Sequence, residues 1–493
     1  VFESTMEKIN AIIRSGSTSG MSEREFFQLE IERWKNSEER QNQIIGEKYY
    51  RGKHDILDRV RTVIGEGGNL QEVRNLPNNL IVDNQYAKTV DQKTNYLLGK
   101  PFTLQAENKQ YKMALSNIFN MRFFLMFQNL GEDSLNGGIG WIHVFYDNDG
   151  AFRFKRFAPY EILPFWKDSE HTILDCVVRV YEVEAYEGKE LKIIEKVEIY
   201  KVTGVERYVL VEGNLLDDTE TLSSDYMVLK NADGAAIGYN WGRVPIIAFK
   251  YNDEEVPLIS KVKSLQDAIN MTLSDFQNNM QEDSRSSIII LKNHDGTDLG
   301  EFRRNLAAYG VIKVRTTEGI DGGVDSLQIT VNSENYRVLL ELLKKALIEN
   351  AMGYDAKDDR LSGSPNQMNI QSMYNDIELD ANGMEAEYQA SFEDLLWFVN
   401  KHLANNKMGN FEGEELTVIF NRDMLMNEVD IINNIKNSVG ILSKETLIAQ
   451  HPWVNDVVAE LKRLEKEQQQ SDIYAGTFQE LKEGETDDDT QES

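Results

Sequence analysis

The residue pair with the most obvious chemical potential is Gly99 and Lys100, with which a phosphate-binding loop would close. Such a loop needs an earlier glycine, so that backbone N–H groups can wrap the phosphate oxygens, and a hydroxyl residue after the lysine. Here the upstream glycine is missing and Pro101 follows, which argues against an ATP-driven motor. Gly65, Gly67 and Gly68 begin like a dinucleotide fingerprint, but Leu70 stands where the third glycine belongs. Zinc requires clustered His and Cys, whereas His54, His143, His171, His294, His402 and His451 are scattered singly. Asp147 and Asp149 suggest a calcium loop, yet Arg156 occupies the place of the bidentate carboxylate. The stretch from Gly16 to Gly20 has Thr18 at its centre, not the serine of a hydrolase elbow, and reads as a linker. No carboxylate pair is picked out by its surroundings as a general acid and base, so no catalytic residue, metal or cofactor is expected.

Composition narrows the classes further. With 493 residues the chain exceeds what one core usually organises, and roughly three structural units are expected. The 82 acidic and 53 basic residues leave a net charge of -29, the opposite of a conventional DNA-binding surface. Such acidity serves solubility, and it also suits a wall along which a polyanion slides without sticking. The single cysteine, Cys176, lies in an apolar run and reads as a buried strand residue. No apolar run reaches bilayer length and no signal-peptide core opens the chain, so synthesis in a cytoplasm is expected.

The elements that would position any function follow from periodicity. Ser22 and Glu25 have capping-box spacing, and Phe27, Ile31 and Trp34 continue along one helical face. Tyr86, Val90 and Leu97 mark a second helix that stops at Gly99 and Pro101. Residues 142–145, 152–157, 177–183, 197–200 and 208–211 read as strands of a mainly antiparallel region, with residues 147–150 as a turn. After Pro257 a long helix carries a narrow seam of Leu258, Val262, Leu265, Ile269, Leu273, Phe276 and Met280. A small α/β module follows, with strands at 287–291, 311–315 and 327–331 and a helical stretch near 302–307. Ser333 then opens a helix bearing Tyr336, Leu340, Leu343 and Leu347, which ends at Gly353.

Residues 354–369 form a polar loop too long for a mere connector. Beyond it one helical pattern runs from Ile370 to Leu403, spanning about 50 Å at the α-helical rise. Gly383 is its weak point and the predicted site of a bend. A strand at 416–420, a helix at 428–436, a helix from Lys444 through Trp453 to about Lys466, and a disordered acidic tail from Glu480 complete the reading. The fold class is α+β.

Three stretches carry a resemblance: 79–102, reading NLIVDNQYAKTVDQKTNYLLGKPF; 366–403, including DANGMEAEYQASFEDLLWFV; and 440–453, GILSKETLIAQHPW. These resemble the tailed-phage portal proteins of the Bacillus siphophage SPP1 type, in the same order along nearly the whole chain. The resemblance implies a portal fold: residues 1–255 a strand-rich wing, 256–283 and 332–353 a helical stem, 284–331 a clip and 354–369 a tunnel loop. Residues 370–425 would add the long wing helix and strand, 426–479 a crown and 480–493 the tail. It also implies a homo-oligomeric ring, usually dodecameric, at the portal vertex of the virion, passing double-stranded viral DNA inward during packaging and outward during ejection. The partners so implied are the terminase large subunit, a head-completion or adaptor protein, and the major capsid and scaffolding proteins, with no membrane.

On that resemblance Lys357, Arg360, Asn366 and Gln367 become candidates for sequence-independent contact with DNA. The nine seam residues Leu258, Val262, Leu265, Ile269, Leu273, Phe276, Leu340, Leu343 and Leu347 become candidates for contact between subunits, because one stripe is incompletely covered by a single partner helix. Aspartate at Leu265 or Ile269 is then expected to reduce ring assembly. The rival readings are another head–tail connector ring, an assembly enzyme, which the missing phosphate loop disfavours, and a coiled-coil scaffold, which the strand-rich middle disfavours.

Overall fold

The computed structural model describes residues 21–64, 69–72, 76–147, 149–218, 223–230, 236–283, 287–292, 323–328, 333–355, 367–422, 428–451, 453–454, 457 and 460–467. The chain divides into two compact units, one comprising Val1–Gly353 with Asp376–Asp423, the other Tyr354–Asn375 with Met424–Ser493.

The first unit opens with α1 (Glu23–Lys35), whose capping box is complete: Ser22 accepts from the Glu25 amide while the Glu25 carboxylate accepts from the Ser22 amide. Next come α2 (Glu38–Tyr50), α3 (Gln85–Leu98), α4 (Lys109–Ile118) and α5 (Met121–Gly137). Each of these four has a Ser or Asn side chain accepting backbone N–H groups at its N-terminus, which satisfies donors a helix start otherwise leaves unpaired. Helix α5 packs an aromatic face into the main core, where Phe123 and Phe127 meet Phe102 and Phe392. It ends at Gly138, whose φ of 77° and close approach to the Glu255 carbonyl, 1.9 Å from where a Cβ would stand, leave room for glycine alone.

The strand-rich region holds two larger sheets and the two-stranded pair Met227–Lys230 with Ala236–Tyr239, all antiparallel among the described residues. Strand Ile139–Tyr146 lies between Ile246–Lys250 and Phe152–Phe157. A second sheet runs from Ile162–Trp166 through Leu174–Glu187, Glu190–Lys201 and Gly204–Val211 to Asn214–Asp217. Cys176 sits on the second of these strands, 3% exposed, and burial raises its thiol pKa, so it is a packing residue. At the 147–151 turn the Asp147 carboxylate accepts from the amides of Asp149 and Ala151 and pairs with Arg153, so its oxygens are spent on the turn rather than on an ion.

Helix α6 (Leu258–Asp283) and helix α7 (Ser333–Asn350) pack together. The chain between them contains the hairpin Ser287–Lys292 with Gly323–Gln328, which pairs Ser287 with Gln328. The second strand therefore starts earlier than the 327–331 run expected from its apolar residues, because the hairpin register, not local hydrophobicity, selects the paired residues. The expected strand at 311–315 and helix at 302–307 lie outside the described residues. At the end of α7 the left-handed residue is Met352, with φ of 52°, rather than Gly353.

Helix α8 (Gln367–Asn405) is continuous over 39 residues and starts three residues before the expected Ile370. It runs through Gly383 without interruption, and a Cβ at that exposed glycine would meet nothing within 4 Å. Gly383→Ala is therefore expected to raise stability by about 1 kcal/mol, the helix-propensity difference alone, measured by urea unfolding. A loss of stability instead would mark Gly383 as a required bend. Strand Thr417–Ile419 pairs with Thr103–Gln105 and closes the first unit.

In the second unit, the Tyr354 and Tyr374 rings pack at 4.6 Å. Two further helices follow, α9 (Glu428–Asn437) and α10 (Lys444–Ala449). The helix expected to continue from Lys444 through Trp453 instead ends at Ala449, with Gln450 as its C-cap and Trp453 exposed. Pro452 explains the stop, since proline disfavours helical backbone in the residue before it. Helical backbone returns at 460–467. The 16–20 linker, the glycines at 65, 67 and 68 and the acidic tail lie outside the described residues.

Candidate functional site

The α6–α7 pair is where sequence and structure meet on function. Four of the nine seam residues, Leu258, Val262, Ile269 and Leu347, are fully buried inside one chain and have no surface left for a neighbour in this conformation. Leu265, Leu273, Leu340 and Leu343 pack against the main core and stay partly exposed. Phe276 meets Tyr336 at 5.0 Å between ring centroids, and Asn279 Nδ2 donates to the Tyr336 hydroxyl at 2.9 Å. The seam is thus largely the contact of α6 with its own chain. A carboxylate at Ile269 would report on subunit folding before it reported on assembly.

Beside that seam, α6 carries a buried polar stripe that apolar periodicity alone did not reveal. Gln266, Asn270 and Ser274 are 0% exposed and Asn278 is 2% exposed, each four residues after the last and so on one helical face. Their side chains bind the backbone of segment 79–86, which comprises the irregular stretch 79–84 and the first turn of α3. Asn278 Oδ1 accepts from the Asn79 amide at 2.7 Å, Ser274 Oγ from Ile81 at 3.0 Å, Asn270 Oδ1 from Asp83 at 3.0 Å and Gln266 Oε1 from Tyr86 at 2.9 Å. Gln266 Nε2 donates to the Asp83 carbonyl at 2.8 Å. A segment with no strand partner thereby pairs its amides with side chains, which burial demands. The four-residue spacing of these polar side chains is the signal that the sequence offers for the stripe.

His54 completes the stripe. Its Nε2 lies 3.0 Å from the Tyr49 carbonyl and its Nδ1 2.8 Å from Asn270 Nδ2, so the proton sits on Nε2 and Nδ1 accepts from the Asn270 amide. Burial pushes the His54 pKa down, which keeps the ring neutral. At the neighbouring surface Lys263 donates to Asp267 at 2.8 Å and Asp55 at 2.6 Å, and although burial opposes it, these carboxylates hold its pKa above the ordinary lysine value. Lys344 of α7 reaches Asp83 at 2.6 Å and ties the second helix to the same segment.

On α7 a second apolar face is left open. Val338, Leu339 and Leu342 are 44%, 47% and 60% exposed, on the side of the helix away from Leu340, Leu343 and Leu347. Exposed apolar side chains gathered on one side of a long helix make this face a candidate contact surface.

The four candidate DNA contacts are not placed. Lys357, Arg360 and Asn366 lie outside the described residues, and Gln367 is the first residue of α8, its side chain outside the described set. Among the described residues no group of three or more His, Cys, Asp or Glu could hold a metal ion, and no helix is long and apolar enough to cross a membrane.

Comparison with known proteins supplies the family. Residues 32–474 match the model for "Phage portal protein, SPP1 Gp6-like". The chain is 30% identical to the portal protein of Bacillus phage SPP1 over 428 residues, covering 86% of this chain and 83% of that one. It is 26% identical to the portal protein of Clostridium phage phiCD119 over 432 residues, covering 85% and 90%. Among solved structures, a chain from the neck of an empty GTA particle computed with C6 symmetry aligns with a TM-score of 0.39 and 11% identity, over 73% of this chain and 87% of that one, too loose a likeness to carry fold detail.

Proposed function

The chain belongs to the SPP1 Gp6-like family of phage portal proteins, and from that premise we propose that it closes side by side with its own copies into the portal vertex ring. Portal proteins are structural channel proteins rather than enzymes, and this one passes double-stranded DNA into the capsid during packaging and out during ejection. The observation that carries the ring in this chain is the open apolar face of Val338, Leu339 and Leu342 on α7. A stripe that its own chain leaves uncovered is buried when the next subunit stands beside it, and a head-to-tail contact generates a ring when the rotation between copies closes. The net charge of -29 fits a wall that repels the phosphate backbone and lets it slide.

In this reading the ring is a dodecamer at the virion's portal vertex, built in the host cytoplasm and seated among major capsid and scaffolding proteins. The 284–331 module docks the terminase large subunit and later the head-completion protein. Lys357, Arg360 and Asn366 of the tunnel loop, with Gln367 at the start of α8, touch passing phosphates. Electron microscopy of the purified full chain tests the proposal: rings with an open centre are expected. A chain that remains monomeric at every salt concentration, with capsids that fill in its absence, would overturn it.

A further inference from the structure

One buried cation plays no part in the reading above. Lys93 of α3 is 3% exposed, and its ammonium lies 2.5 Å from Asp380 Oδ2 on α8 and 3.3 Å from the carbonyl of Met352. The other oxygen of Asp380 accepts from the Tyr251 hydroxyl at 2.8 Å, and the Tyr251 ring centroid is 5.9 Å from the ammonium. Burial pushes the Lys93 pKa down while Asp380 opposes that shift. A buried ammonium persists when it is paired and hydrogen-bonded, and these contacts supply both.

The chain positions of the partners give the cluster its meaning. Met352, held at a left-handed φ of 52°, stands just before the chain leaves the first unit at Gly353, and Asp380 stands just after it returns at Asp376. Gly353 itself rests on α3, where a Cβ would lie 3.6 Å from Thr89 Cγ2. The whole of Tyr354–Asn375 therefore departs from and returns to points held by one side chain.

We propose that Lys93 anchors both flanks of the 354–375 segment, tying the outgoing carbonyl of Met352 to the returning carboxylate of Asp380, so that the chain leaves and rejoins the first unit at fixed points. Calling that segment the DNA-facing loop rests on the portal reading, whereas the anchoring rests on contacts within the first unit alone. Lys93 is a positioning residue, since it acts through the segment it holds.

Hydrogen exchange on the full chain tests the anchor. The amides of Ala351 and Gly353, bonded to the carbonyls of Leu347 and Ile348, report on the outgoing root. Residues 376–386 report on the returning root, and strands Leu174–Glu187 and Glu190–Lys201 serve as an internal reference. In Lys93→Met, exchange is expected to rise roughly tenfold or more at both roots, with the reference strands unchanged, as local opening separates from global unfolding. The double variant Lys93→Met with Asp380→Asn removes the orphaned charge. It should recover the unfolding midpoint yet keep fast exchange at Ala351 and Gly353. Tyr251→Phe, which spares both bonds of the ammonium, should exchange like the wild type at both roots. Unchanged root exchange in Lys93→Met overturns the proposal. So does equal acceleration in the reference strands, or a double variant that cannot fold, because the lysine would then be serving the core at large. Ring formation by the wild-type sample reports separately on the portal reading.

Discussion

Replacing both Leu339 and Leu342 with aspartate is expected to abolish ring formation while leaving a folded, soluble subunit. In one chain these side chains are 47% and 60% exposed, so carboxylates there remain hydrated and cost little, as surface substitutions usually do. In the proposed ring these positions lie against the next copy, where an unpaired buried carboxylate costs several kcal/mol. Every interface of a closed ring repeats that penalty, so closure fails as a whole rather than by degrees. Native mass spectrometry should show monomers, and thermal unfolding should give a midpoint close to that of the parent subunit. Ile269→Asp is the contrasting variant. That side chain is 0% exposed within one chain, so the expected result is loss of the folded subunit itself. Rings that persist in the Leu339 and Leu342 double variant would remove α7 from the interface, whatever the chain's family.

The second large effect lies on the buried polar stripe. Asn270→Leu is expected to destabilise the subunit by about 3 kcal/mol or more in urea unfolding, since each buried group left without its partner costs roughly 1–3 kcal/mol. The substitution strips the Asp83 amide of its acceptor, Gln266 Nε2 of one of its two acceptors and His54 Nδ1 of its donor, in a site with 0% exposure at Gln266 and Asn270. An apolar side chain of similar size fills the space but offers none of the three bonds. The adjacent Met271 is 43% exposed, and Met271→Ala should stay within about 0.5 kcal/mol of the parent. Equal behaviour of the two variants would mean that segment 79–86 is held by its flanking helices and not by the stripe.

These two predictions show how differently α6 and α7 were legible beforehand. The spacing of Leu258, Val262 and Ile269 gave away a helix and an apolar stripe, because helical period is a local property. Which partner covers the stripe is not local. The chain itself covers most of it, leaving Met280 exposed at its far end, and further uncovered apolar surface lies off the seam at Val338, Leu339 and Leu342. The burial of Asn270 and Ser274 is likewise not local, since segment 79–86 comes against them from some 190 residues away. Helices α4 and α5 are not among the elements expected above, although Asn108 and Asn120 sit at their N-caps and Phe123, Phe127 and Leu130 recur at helical spacing.

The amino-acid sequence by itself determined the element types over most of the described chain, the capping box at Ser22, the absence of a phosphate loop and the family, because caps, periods and motif spacings act within a few residues of one another. Only the tertiary structure decided which faces of α6 and α7 are spent inside the subunit and which remain open, where segment 79–86 finds its hydrogen-bond partners, and that Lys93, Met352 and Asp380 meet. Those outcomes depend on residues far apart in the chain, and burial, which sets the cost of an unpaired amide or ammonium, exists only once the chain has closed around them.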